Sequence, residues 1–127
     1  MTLRSVAIAL VLAAPAHAAD WTADDTTRQA AFLALGVVDW MQTRYIAKHP
    51  ESFHETNPFV FLQIKPGEPS QPSLAKVNRY FVLYLATHTV ISYALPSTWR
   101  AGFQYISIGI EANTVARNWR LGIGLNF

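Results

Sequence analysis

Prolines constrain this chain more than any other feature of its sequence. Pro50, Pro58, Pro66, Pro69 and Pro72 crowd one stretch and Pro96 stands alone beyond it. Each lacks the amide that a helix interior requires and clashes with the preceding turn. Continuous helix is thereby confined to three segments: one before Pro50, one between Pro72 and Pro96, and one after Pro96. Capping residues sharpen the bounds. In WTADD, Thr22 stands three residues ahead of Asp25, an N-cap pattern whose acids also suit the positive end of a helix dipole. The first helix is expected over about 24–47. Ser73 caps a second over about 74–95, ended by Pro96, and Ser97 is expected to cap a third over about 98–118. The connection at Pro96 is tight, so the second and third helices should run antiparallel. The long loop between the first two, KHPESFHETNPFVFLQIKPGEPSQPS, permits at most a short turn at Asn57-Pro58. Beyond Asn118, WRLGIGLNF alternates strictly and carries two glycines, which predicts a short extended tail.

The first twenty residues, MTLRSVAIALVLAAPAHAAD, read as a secretory leader. Arg4 lies in a short basic start, an apolar run follows from Val6 to Ala14, and Ala16-His17-Ala18 is a small-x-small cleavage site. The apolar run is too short to cross ~30 Å of hydrocarbon, and Pro15 breaks it just before that site. Residues 1–18 are expected to be removed, leaving a single domain over 19–127.

Composition makes a membrane the first suspect. Half the chain is hydrophobic (51%) and only 14% is charged, lean for a soluble domain. No basic run tracks a phosphate backbone, so nucleic acid is not an expected partner. The absence of cysteine excludes disulfides and thiolate chemistry. Trp99 and Trp119 lie twenty residues apart. At ~1.5 Å per residue that is about 30 Å, so each indole reaches one interface of a bilayer. With the new N-terminus outside, Arg44, Lys48, Lys65, Lys76, Arg79, Arg117 and Arg120 fall on the cytoplasmic side. Asp20, Asp24, Asp25, Arg28 and Arg100 then stay outside, the asymmetry of the positive-inside rule. The fold class is therefore all-α, a three-helix membrane bundle, with residence in the bacterial inner membrane after export; periplasm and outer membrane are the alternatives. Trp40 and Gln42, both mid-span, leave open a soluble bundle with apolar helices.

Polar residues inside these helices mark the candidate site. Ser107, Glu111, Thr114 and Asn118 recur at four, three and four residues, on one face of the third helix. Asp39 lies on the first helix with Thr43 a turn below and Gly36 a turn above, where a missing side chain admits a neighbour. His88 lies on the second, with Tyr84 and Ser92. Counted from the outer ends, Asp39, His88 and Glu111 are expected to meet in one layer and face inward, because an isolated charge at that depth costs ~3 kcal/mol or more. One reading makes Thr43, Ser107, Thr114 and Asn118 interhelical hydrogen-bonding residues that fix packing. The other makes Asp39, His88 and Glu111 ligands of a divalent metal or members of a proton relay, since imidazole with two carboxylates suits such an ion. In the loop, His54, Glu55, Asn57 and Pro58 are turn formers, or fold back so that Glu55 joins the polar layer. Asp39, Glu55, His88 and Glu111 are the catalytic candidates, although no HExxH, nucleophile elbow or other complete motif accompanies them.

The alternating tail Trp119, Leu121, Ile123, Leu125, Phe127 looks like the closing strand of an outer-membrane β-barrel, and 109 residues just suffice for eight strands of about nine to eleven residues. Against a barrel, AAFLALGVV is apolar at both parities and the proline loop fits poorly.

The order leader, DWMQTRYIA, HETNPF, KVNRYF, LPSTWR, IGIEANTVARN resembles a group of small exported proteins of unknown role from proteobacteria and their phages or prophages. The resemblance covers most of the chain after the leader. It implies an Asp in the first helix, a Glu-x-Asn-Pro loop, a His in the second helix and a Glu in the third, matched here by Asp39, Glu55 with Asn57 and Pro58, His88 and Glu111. Val60 to Pro72 departs from it, where a shorter loop is expected. The expected function is that of a small cell-envelope protein with a structural or interaction role, phage-related, with lipid and either itself or another envelope protein as partners. A metal-dependent or acid-base membrane enzyme is the alternative, and the barrel a further one.

Overall fold

A computed structural model describes residues 20–53 and 72–125. The described residues form three helices and no strand: α1 (Ala23–Lys48), α2 (Leu74–Ala94) and α3 (Ser97–Arg120). The all-α expectation holds, and each helix lies within about two residues of its expected bounds at either end. The leader and the loop residues His54, Glu55, Asn57 and Pro58 lie outside the described residues.

Local chemistry sets most of the helix ends. Thr22 begins α1 with a full capping box: its hydroxyl accepts from the Asp25 amide at 3.1 Å, and the Asp25 carboxylate accepts from the Thr22 amide at 2.9 Å. Ser73 begins α2 by accepting from the Lys76 amide at 3.3 Å. The start of α3 differs from expectation. Ser97 is its first helical residue and Pro96 occupies the cap position, without a side-chain cap. The Pro96 carbonyl receives the amides of Trp99 at 3.0 Å and Arg100 at 2.9 Å, and its fixed φ of −55° leads the chain into the helix.

The C-terminal expectation is corrected. Trp119 and Arg120 close α3 rather than open a strand. Gly122 follows with φ of +78°, the left-handed conformation that glycine adopts freely. The Ile123 amide donates to Asn118 at 3.1 Å and the Gly122 amide to Trp119 at 3.0 Å. These two bonds define a Schellman cap, and Ile123 is buried as its hydrophobic partner. Alternation over residues 119–125 is thus a helix stop followed by a short return over Tyr45, whose ring a side chain at Gly124 would strike. With the closing strand gone and the other described segments helical, the barrel reading is set aside.

The first helix packs against both others, while α2 and α3 touch each other least. Gly36 admits a close approach of α2, as expected: a Cβ there would stand 2.5 Å from Leu85 Cδ2. The buried face of α1 runs Asp25, Gln29, Phe32, Gly36, Asp39, Thr43, Ile46, at alternating spacings of four and three. Most of that face is polar, and this holds for the whole interior. The buried hydrophobic residues are Phe32, Ile46, Val77, Phe81, Ala94 and Ile123, whereas buried polar residues include Asp25, Gln29, Asp39, Gln42, His88, Ser92, Arg100, Gln104, Glu111 and Asn118. Among the described residues, no helix is long and apolar enough to cross a membrane.

Candidate functional site

The polar interior is organised in levels along the bundle axis. The uppermost centres on Arg100, which has no exposed surface. Pro96 cannot supply the amide that would close the last turn of α2 onto the Ser92 carbonyl. The Arg100 Nε–H supplies it instead, at 3.0 Å, and Nη2 donates to the Leu95 carbonyl at 2.9 Å. Nη1 donates to Asp25 Oδ2 at 3.1 Å and to the Asp20 carbonyl at 3.3 Å. The guanidinium also lies 5.0 Å from the Trp21 ring, itself stacked on Tyr93 at 4.0 Å. One side chain thus joins the start of α1, the end of α2 and the start of α3.

Asp25 is the nearer counter-charge, with the half-exposed Asp20 carboxylate 3.5 Å from Arg100 Nη2. The second Asp25 oxygen accepts from Arg28 Nη2 at 2.5 Å. Burial pushes its carboxyl up, but hydrogen bonds from the Thr22 amide and hydroxyl and from Arg100 and Arg28 outweigh this and bring it down to about 2. Gln104 extends the network, accepting from Arg28 Nε at 2.9 Å and donating to the Asp25 carbonyl at 3.2 Å and to Gln29 Oε1 at 3.4 Å.

His88 occupies the next level. Its ring is sandwiched between Phe32, with centroids 3.5 Å apart, and Phe103, at 4.6 Å. Nδ1 faces Gln29 Nε2 at 3.3 Å and Ser92 Oγ at 3.5 Å. The hydrogen-bond pattern assigns the tautomer. Thr89 Oγ1 spends its proton on the Leu85 carbonyl at 2.9 Å, so it accepts from Gln29 Nε2 at 3.0 Å, which fixes the Gln29 amide with its nitrogen toward His88. Nδ1 must then accept, and the ring proton resides on Nε2. Below it, Tyr84 donates to Glu111 Oε1 at 2.6 Å. His88 Nε2 and Glu111 Oε2 are buried and have no hydrogen-bond partner among the described residues.

The lowest level holds Asp39, whose Oδ1 accepts from Asn118 Nδ2 at 3.4 Å, with Gln42 Oε1 accepting from the same amide at 3.1 Å. Beside it Asn78 Oδ1 accepts from Trp40 Nε1 at 2.9 Å and from Arg44 Nη1 at 2.6 Å. Asp39 lies seven residues beyond Phe32 on α1. That is about 10 Å of helix below the level of His88. The single layer expected for Asp39, His88 and Glu111 is instead a column. Among the described residues no three His, Cys, Asp or Glu side chains are grouped so that they could hold a metal ion.

Of the packing residues read from sequence, Thr43 and Asn118 are buried. Ser107 and Thr114 are half-buried and turn their hydroxyls to their own helix, onto the Phe103 and Ile110 carbonyls at 2.9 and 3.0 Å. Sequence reasoning missed the level built by Asp25, Arg28, Gln29, Arg100 and Gln104. The spacing signal was present, since Arg100 and Gln104 extend the stripe of Ser107 and Glu111 at steps of four, three and four. No protein-family model matches the chain, and no curated protein or solved structure is similar to it.

Proposed function

We propose that this chain is an exported membrane-embedded three-helix bundle of the bacterial cell envelope. Its polar interior fixes helix packing and its apolar exterior meets lipid, with a structural or interaction role. The observation that carries this reading is the chemistry of the exposed middle. On α1 the exposed residues between Thr27 and Lys48 are Ala30, Ala31, Ala34 and Val37; on α2 beyond Arg79 they are Val82, Leu83, Ala86, Thr87, Val90 and Tyr93. On α3 from Trp99 to Ala116 they are Trp99, Gly102, Tyr105, Ile106, Gly109, Ile110, Asn113 and Ala116. None is charged. A soluble bundle places its charges on this surface and its apolar residues inside; here the exposed middle carries no charge and much of the interior is polar. Mean hydropathy averages all faces of a helix, so an inward polar stripe lowers it even where the outward face is apolar. Such a stripe is stable in lipid when its groups satisfy one another across helices.

Both ends fit this arrangement. Trp99 is 71% exposed and Trp119 61% exposed, near opposite ends of α3 and suited to the two interfaces. Arg44, Lys48, Lys76, Arg79, Arg117 and Arg120 gather at one end, while Asp20, Asp24 and Asp25 with the paired Arg28 and Arg100 lie at the other, which orients the basic end to the cytoplasm.

The chain has no cysteine, so single-cysteine variants report topology without background. In intact cells, Ser97→Cys should react with a membrane-impermeant maleimide once the outer membrane is opened, and Glu51→Cys only after the inner membrane is lysed. The protein should stay with membranes through alkaline carbonate washing. Release by carbonate, or labelling of both sites from one side, refutes the proposal.

A further inference from the structure

The column of interior polar groups is broken at one place. Above the break, Gln104, Gln29 and His88 Nδ1 are hydrogen-bonded in series, and the assigned tautomer leaves Nε2–H as a donor with no acceptor among the described residues. Below it, Glu111 receives the Tyr84 hydroxyl on Oε1 and nothing on Oε2. His88 is 5% exposed and Glu111 4%, so neither atom is relieved by bulk solvent. A buried polar group without a partner is destabilising by ~1–3 kcal/mol, more if charged, so each of these two atoms calls for one.

The two unpartnered groups are complementary and lie on adjoining levels. Tyr84 and His88 are one turn apart on the same face of α2 and both rings contact Phe32, at 5.7 and 3.5 Å between centroids. Tyr84 holds the Glu111 carboxyl at its hydroxyl end, and Phe103, two turns before Glu111 on α3, covers the other face of His88. The edge of the imidazole and the free carboxyl oxygen therefore belong to one aromatic-walled region between α2 and α3, the pair of helices in least contact.

We propose that this region binds a hydroxyl group, which accepts from His88 Nε2–H and donates to Glu111 Oε2. A carbonyl or ether satisfies only the imidazole, and an ammonium only the carboxylate; a hydroxyl satisfies both. Water has this chemistry, and so does a primary alcohol whose alkyl chain lies against Phe32 and Phe103. The site is internal, so the proposal stands or falls independently of where the bundle resides.

Histidine ring-15N NMR of the full chain in detergent micelles tests it, with the His88 signal identified by its loss in His88→Phe. 1-Octanol is the alcohol probe and 1-methoxyoctane, which accepts but cannot donate, is the control. The expected result is a single Nε2–H resonance that shows either a cross-relaxation peak to long-lived water or a saturable shift with 1-octanol that 1-methoxyoctane does not reproduce. The first outcome assigns the hydroxyl to water and the second to an alcohol. Glu111→Leu, which removes the acceptor, should abolish the response; circular dichroism confirms that the variant is folded. A proton on Nδ1, a direct Nε2–H bond to the Glu111 carboxyl, or an Nε2–H that responds to neither water nor alcohol would overturn the proposal.

Discussion

Arg100 Nε donates to the Ser92 carbonyl at 3.0 Å, taking the place of the amide that Pro96 lacks. The proline that ends α2 thus creates the acceptor that positions the first buried charge of α3, and Asp25 neutralises that charge from α1. Because Arg100 is fully buried, removing Asp25 leaves its charge to the longer contact with the half-exposed Asp20 carboxylate at 3.5 Å. Arg100→Met and Asp25→Asn should each destabilise the bundle by ~3–5 kcal/mol, and the double variant by clearly less than the sum. Thermal melts of the four proteins in one detergent provide the cycle; strict additivity would separate the two residues energetically.

The pH dependence of that level follows from its sign. The Asp25 carboxyl is held at about 2 when folded, against 3.8 for the ordinary group. A depressed pKa contributes stability that is present above the unfolded value and lost as pH falls through the folded one. The contribution is ~2 kcal/mol at neutral pH. Wild-type protein should lose melting temperature between about pH 4 and pH 2, and Asp25→Asn should lose less over the same interval. Equal slopes for the two proteins would show that Asp25 does not carry the acid sensitivity.

At the contact of α1 with α2, size decides. A Cβ on Gly36 meets only the far end of the Leu85 side chain, which can rotate away. Gly36→Ala should therefore change stability by less than ~1 kcal/mol, the steric cost being offset by the better helix propensity of alanine. Gly36→Leu forces the helices apart and should cost ~1–3 kcal/mol, with Leu85→Ala in the same chain restoring part of it. Measured melting points that fall equally for Ala and Leu would place the restriction in the backbone instead.

Features that depend on local chemistry were legible in the sequence. Thr22 with Asp25, Ser73, and the break at Pro96 each act within a few residues, and all three mark helix ends in the structure. Gly36 was legible because a glycine between larger residues in a helix invites close approach. The Schellman cap was also written locally, as Asn118 through Ile123 with Gly122 at its turn, but nine alternating residues imitate a strand and concealed it. Pairings across the chain were not legible. Asp25 has the position of a dipole-stabilising acid and Arg100 that of a turn charge, and nothing nearby in sequence joins residues 75 apart. The levels of Asp39, His88 and Glu111 were misjudged for a geometric reason. Asp39 stands sixteen residues from the start of α1 and His88 only six from the end of α2, about 24 and 9 Å at ~1.5 Å per residue, so the residue counts themselves already separate their heights.

The uncharged exposed middle makes the strongest prediction, at Ile106. This residue is 66% exposed and lies seven residues from Trp99 on α3. At ~1.5 Å per residue it sits about 10 Å from that interface. In a water-soluble bundle Ile106→Arg is an ordinary surface change, worth within ~0.5 kcal/mol and favourable to solubility. Facing lipid, the same guanidinium opposes insertion by ~2.5–3.5 kcal/mol near the centre of a span. Ile106→Arg should therefore deplete the carbonate-resistant membrane fraction severalfold, while Ile106→Leu leaves it unchanged. An Ile106→Arg protein that accumulates normally in a carbonate-extractable, soluble form with an unchanged melting point would place this surface in water and end the membrane reading.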